Sequence, residues 1–194
     1  MVLAVTGEVG AGKSTAAKLL AAALGAPLID ADAIVASLWK TGAMADLASG
    51  RWGVGVLNDD GTVRHAEVAA RIFTDKAEYA WLMSVIHPLV MGEIDRRAEE
   101  AGALCVAEIP LLFESGRRRG NMRAVFVMAP RCVRLARCTE RGWDEEELTR
   151  REGFFLPARE RAAMSDYVID NGGSLDALNE AVRKISLDFS GSEC

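Results

Sequence analysis

Gly7-Glu8-Val9-Gly10-Ala11-Gly12-Lys13-Ser14 fits the spacing G-x-x-x-x-G-K-[ST]. In that pattern backbone N–H groups surround phosphate oxygens, a lysine reaches the β- and γ-phosphates, and a hydroxyl ligates Mg²⁺. With 18 Gly, 5 Lys and 17 Ser+Thr in 194 residues, chance supplies only roughly 0.004 such matches. The stretch points to a nucleoside triphosphate. Asp30 and Asp32 follow an apolar Leu28-Ile29, where a carboxylate can take the proton of an attacking hydroxyl or cap a helix beginning near Ala33. Proton transfer is expected of Asp32 and capping of Asp30. Arg137 and Arg141 stand four apart in an expected helix, which places both guanidinium groups on one face. One can then stack on a base while the other meets phosphate charge. The neighbouring Glu140 and Asp144 to Glu147 read as a solvated, salt-bridged surface.

These side chains need elements to position them. Val2 to Thr6 is short, apolar and β-branched, as a buried strand is, and Ser14 to Leu24 reads as a helix closed by Gly25. Further strands are expected at Leu28-Ile29, Leu104 to Ile109, Ala124 to Met128 and Tyr167 to Ile169. Residues 33 to about 101 carry helical periodicity, with turns near Gly42, Asn58 to Gly61 and His87-Pro88. Arg131 to Met164 is largely helical. Buried strands joined by helical crossovers imply a parallel α/β sheet covered on both faces, with right-handed connections. The expected division is a nucleotide-binding core at 1–32, 103–135 and 165–194, a helical subdomain at 33–102, and a lid at 136–164. Taken alone, His87 before Pro88 reads as a packed or capping histidine at a helix start. Trp39, Trp52 and Trp81 read as core. Arg117-Arg118-Arg119 reads as a solvated loop that could also touch an anionic substrate.

Composition narrows the classes. Half of the residues are hydrophobic, 26% are charged, and the net charge is −5, with a mean hydropathy of +0.09. These are ordinary globular values, without the cationic field that holds nucleic acid or an anionic membrane. The four cysteines, Cys105, Cys132, Cys138 and Cys194, form no C-x-x-C pair and lie far in sequence from His65 and His87, so a zinc site lacks its usual spacing. No signal peptide and no apolar run of spanning length is expected. A cytoplasmic protein with reduced cysteines, monomeric and without nucleic-acid or membrane partners, is the expectation. No Asn-Lys-x-Asp segment and no Asp-x-x-Gly after the Leu104 strand supports a GTPase.

Taken in order along nearly the whole chain, the motifs resemble the dephospho-coenzyme A kinase family of the P-loop kinase superfamily. The resemblance rests on Thr6 to Thr15, Gly25-Ala26-Pro27-Leu28-Ile29-Asp30-Ala31-Asp32-Ala33, Trp52-Gly53, Asp60-Gly61, Phe73 and His87-Pro88. It continues through Pro110-Leu111-Leu112-Phe113-Glu114, Arg137, Arg141 and Asp166 to Asn171. It implies a five-stranded parallel P-loop kinase core with a helical substrate subdomain and a helical lid. The reaction implied is transfer of the ATP γ-phosphoryl group to the ribose 3′-hydroxyl of dephospho-coenzyme A. By that resemblance Asp32 is the general base, and Lys13, Arg137 and Arg141 hold ATP and the migrating charge. Gly7, Gly10, Ala11, Gly12, Thr15 and Asn171 belong to the nucleotide site, Ser14 ligates Mg²⁺, and His87, Pro110 and Leu111 seat the acceptor. Four positions depart from the family's pattern: Glu8 stands for a glycine, His65 for an arginine, Phe155 for a glutamine, and Met122 for an acidic residue. Glu8 matters most, because an anion in the phosphate loop must turn outward or weaken ATP binding. Two alternatives therefore accompany the main expectation, namely another small-molecule kinase and an ATP-binding regulator without turnover.

Overall fold

A computed structural model describes residues 1–102, 104–114 and 120–190; Arg117 to Arg119 and Cys194 lie outside them. The elements run β1 (Val2–Gly7), α1 (Lys13–Leu24), β2 (Leu28–Asp30), α2 (Ala31–Leu38), α3 (Gly42–Trp52), a 3₁₀ turn (Val54–Val56), α4 (His65–Ile72) and α5 (Lys76–Ala101). They continue with β3 (Cys105–Glu108), β4 (Met122–Met128), α6 (Arg131–Thr139), α7 (Glu145–Glu152), α8 (Ala158–Ala163), β5 (Tyr167–Asp170) and α9 (Leu175–Ser190). The chain divides into two compact units, Met1–Asp30 with Arg97–Cys194, and Ala31–Arg96. The lid segment expected at 136–164 falls within the first of them.

In the first unit the strands order as β2-β3-β1-β4-β5, and every pairing is parallel. β1 is central and wholly buried. One face of the sheet offers Leu3, Val5, Val106, Val125, Val127 and Ile169 to Ala16, Ala17 and Leu20 of α1 and to Leu178, Val182 and Ile185 of α9. Each large side chain in such a layer stabilises by about 1.5 to 3 kcal/mol. The small alanines of α1 let that helix lie close against the strands. A parallel sheet puts all strand carboxyl ends on one edge, which is where α/β proteins bind ligands.

The second unit is helical, as expected of residues 33–101, with one isolated antiparallel bridge between Leu57 and Val63. Glu78 of α5 accepts both Nε (3.0 Å) and Nη2 (2.8 Å) of Arg51 and also the indole N–H of Trp52 at 2.8 Å. Arg51 lies 5.1 Å over the Trp81 ring, and Trp52 meets Trp81 edge to face at 5.1 Å. The tryptophans thus pin α3 to α5. The sequence expectation fails at His87-Pro88, where no turn forms and α5 runs on through Pro88. Leu82, Ile86, Val90 and Ile94 are all buried at four-residue intervals. That unbroken stripe holds the helix together across the one hydrogen bond proline cannot donate.

Candidate active site

The phosphate loop links β1 to α1, and its glycines answer close packing. Gly10 and Gly12 adopt φ of +76° and +90°, a region that side-chain-bearing residues rarely enter. A Cβ on Gly10 would also lie 2.8 Å from the Arg134 carbonyl and 2.9 Å from Cys138 Sγ. Helix α1 begins at Lys13 with no side-chain cap and no acidic residue in its first turn. Its leading N–H groups and positive dipole end therefore suit an anion.

Loop carbonyls are held by side chains from several elements. Lys13 Nζ donates to the Glu8 carbonyl at 3.0 Å, Arg134 Nη1 to that of Val9 at 3.3 Å, and Arg161 Nη1 to that of Gly7 at 3.0 Å. The Ala11 carbonyl accepts both Arg137 Nη1 at 3.2 Å and Asn171 Nδ2 at 2.8 Å. Arg137 Nη2 also donates to the Asn171 carbonyl at 3.0 Å. The structure thus brings Lys13, Arg137 and Asn171 together around the loop. Ser14 and Thr15 occupy the exposed first turn of α1.

Ser14 Oγ donates to Glu108 Oε1 at 2.8 Å, joining α1 to the last residue of β3. Hydroxyl and carboxylate are the hard oxygen donors Mg²⁺ takes, usually one or two from protein and the rest from water and substrate phosphates. The pair fits that ion. Glu108 was missed in the sequence, although a carboxylate ending a strand beside β1 is the available signal. Beyond it, Pro110 and Leu111 are half-buried in the following turn, where the Pro110 carbonyl accepts from Thr6 Oγ1 at 3.0 Å.

Glu8 is turned into the protein. Its side chain is 13% exposed and pairs with Arg134 Nη2 at 3.3 Å, while Oε2 accepts the Ala129 N–H at 3.1 Å. Arg134 is itself buried and also binds Glu152 of α7 and the Ala129 carbonyl. Burial opposes charge on Glu152, yet Arg134 and Arg131 together hold its carboxyl below the usual range. Arg161, likewise buried, pairs with Glu114 at 3.8 Å and lies 5.1 Å over Phe126 and 4.8 Å over Phe155. Burial pushes its pKa down against the pull of Glu114 and Glu8.

Arg141 is placed differently from expectation. Helix α6 ends at Thr139, and Gly142 at φ +80° closes it, with Gly142 N–H bonded to the Thr139 carbonyl and Trp143 N–H to that of Cys138. This is the left-handed stop that reverses a chain after a helix. Arg141 sits exposed in that closing turn, beyond the end of the helix that carries Arg137. In the second unit, Asp32 is exposed in the first turn of α2, which starts at Ala31 rather than near Ala33. Asp30 directly precedes that helix. His87 is half-buried in mid-α5, and His65 lies 5.7 Å from Trp39, ring to ring.

The model of the dephospho-CoA kinase family matches residues 1–177. The chain belongs to the dephospho-CoA kinase family. Members of this family named dephospho-CoA kinase resemble it along nearly their full length. That of Corynebacterium diphtheriae is 36% identical, covering 95% of this chain and 94% of the relative. That of Mesorhizobium japonicum is 37% identical over the same shares. Among solved structures, one from Thermus thermophilus superposes with a TM-score of 0.79 at 30% identity, covering 100% of this chain and 98% of the other. The dephospho-CoA kinase of Campylobacter jejuni gives 0.71 at 21% over the same shares, a likeness of fold. A shikimate kinase from Acinetobacter baumannii shares that P-loop kinase fold at 0.56 and 18%, covering 100% of this chain and 95% of the other. Within the dephospho-CoA kinase family, nucleotide use by the P-loop accords with the loop geometry above.

Proposed function

We propose that the protein transfers the γ-phosphoryl group of ATP to the ribose 3′-hydroxyl of dephospho-coenzyme A, giving coenzyme A and ADP. The observation that carries this is the family match across residues 1–177, on a chain whose phosphate loop runs into the uncapped start of α1 and the Ser14–Glu108 pair. The loop N–H groups and Lys13 take the triphosphate, with Lys13 exchanging the Glu8 carbonyl for phosphate oxygen. Arg137 and Asn171 lie on the base side, and Arg141 meets the transferring group. Ser14 and Glu108 would hold Mg²⁺, which supplies charge neutralisation on the β- and γ-oxygens. Asp32 accepts the proton of the 3′-hydroxyl as its oxygen bonds to the γ-phosphorus and the bond to the bridging oxygen of ADP breaks. His87, Pro110 and Leu111 seat the acceptor, and residues 136–164 close as a lid.

Glu8 bears on the alternative of a nucleotide-binding regulator. Its charge is met by Arg134, which removes the reason for expecting weak ATP binding. The test is ADP release against a panel of acceptors, with products resolved by mass. Coenzyme A formed from dephospho-coenzyme A alone is expected; equal turnover of shikimate, gluconate or CMP, or no coenzyme A at all, overturns the proposal.

A further inference from the structure

We infer that Arg134 is a positioning residue for nucleotide binding, acting through the Val9 carbonyl, and that Glu8 is the counter-ion that keeps it in place. The inference rests on the proposal that this loop binds ATP. Carbonyl and N–H of one peptide unit point in opposite directions, so a bond to the Val9 oxygen at 3.3 Å sets where the Gly10 N–H is aimed. Gly10 is the loop glycine packed on α6, the helix that carries Arg134. Arg134 is fixed on every side, by the Ala129 carbonyl at 3.0 Å, by Glu8 at 3.3 Å and by Glu152 of α7. Its side chain is only 7% exposed, so it acts on the triphosphate through the loop and not by contact.

Charge makes the arrangement conditional. A buried guanidinium between two carboxylates is stable only as a set, and removing one member leaves an uncompensated charge. Without Arg134, Glu8 is left as a buried anion without its ion-pair partner two residues before Gly10, behind a loop whose ligand is itself strongly negative. Without both Arg134 and Glu8, the unpaired anion is gone, while the bond to the Val9 carbonyl stays lost and Glu152 keeps only Arg131. A bracing role alone would cost stability in the single and double variants alike; an aiming and charge-balancing role shows in nucleotide affinity, and the second substitution repairs only its charge-balancing part.

The experiment compares wild type, Arg134→Gln, Glu8→Gln and the double variant. It measures equilibrium binding of a fluorescent non-hydrolysable ATP analogue, KM for ATP and for the acceptor, kcat, and Tm. Arg134→Gln should weaken analogue binding and raise KM for ATP by about tenfold or more, with kcat and the acceptor KM within about twofold. The double variant should recover the part of that loss that comes from the Glu8 charge and stay weaker than wild type, since the bond to the Val9 carbonyl is still missing. Arg134→Lys, which keeps the charge and loses the fork, should fall between; if Arg134→Gln does not fold, Arg134→Lys carries the test, with analogue binding weakened and kcat within about twofold of wild type. Unchanged nucleotide affinity with a lowered Tm, or a double variant that binds no better than the single, overturns the inference. Analogue binding is read without acceptor. A wild type that binds the analogue but makes no coenzyme A therefore overturns the proposed acceptor and leaves this inference standing.

Discussion

At the scale of single residues, Asp30 and Asp32 separate by function. Asp32→Asn should lower kcat by about 10² to 10⁴-fold, the usual contribution of a positioned base, with nucleotide affinity nearly unchanged. Asp30→Asn, just before α2, should cost about 1 kcal/mol of stability at most. Steady-state kinetics beside thermal melts decide, and interchangeable effects would show the assignment wrong. Arg137 and Arg141 separate in a similar way. Arg137 is already engaged with the Ala11 and Asn171 carbonyls, so its contacts exist in ground and transition states alike. Arg137→Lys should raise KM for ATP more than it lowers kcat. Arg141, in its exposed turn, can meet charge that develops only during transfer, and Arg141→Lys should lower kcat with little change in KM. Varying ATP at saturating acceptor distinguishes them; the reverse pattern would exchange the roles.

Elements differ in how much of them the sequence discloses. The five strands are plain because each is a short apolar run ended by Gly, Pro or Asp, and the phosphate loop is plain because its eight residues are contiguous. What escapes depends on partners remote in sequence. Arg134 lies four residues before buried Cys138 on α6, a register that marks a core-facing arginine, but nothing local says that Glu8 and Glu152 will meet it. Proline at position 88 looks like a stop, while the i, i+4 stripe on either side of it says otherwise, and packing decided for the stripe. Arg141 looks helical by spacing until Gly142 takes its left-handed conformation. Helix α7 carries a testable consequence of the buried network. In the folded protein Arg134 and Arg131 hold the Glu152 carboxyl below its ordinary range. Its stabilising effect is therefore complete above the unfolded value near ~4.3 and is lost as pH falls through the lower folded one. Glu152→Gln should be less stable than wild type by about 1 to 3 kcal/mol at pH 7, and the two should converge as the solution is acidified below about pH 4. Denaturant melts across that window measure the difference; a constant gap would remove the ion pair from the account.

For the molecule as a whole, charge is arranged against the average. The chain carries −5 overall, yet Lys13, Arg134, Arg137 and Arg161 all reach the carbonyls of one short loop. Surface charges are screened over about 8 Å at physiological salt, so a negative overall charge does not keep four cationic side chains from gathering on one loop, where Glu8 and Glu152 meet Arg134 and Glu114 meets Arg161. The loop's close seat on α6 has one more use. Cys138 is fully buried with its sulfur against Gly10, whereas Cys132 on the same helix is exposed. The thiol of Cys138 is thus a clock for the parting of loop and helix: a small alkylating reagent reaches it only in molecules that have opened there. Followed peptide by peptide by mass, Cys132 should react at the rate of a free thiol and Cys138 far more slowly. Saturating ATP should slow Cys138 further, by about the factor 1 + [ATP]/Kd if only the closed loop binds, and leave Cys132 as it was. Equal rates at the two cysteines would mean that the loop leaves its seat as a matter of course, and the slowing by ATP, if found, would time each departure.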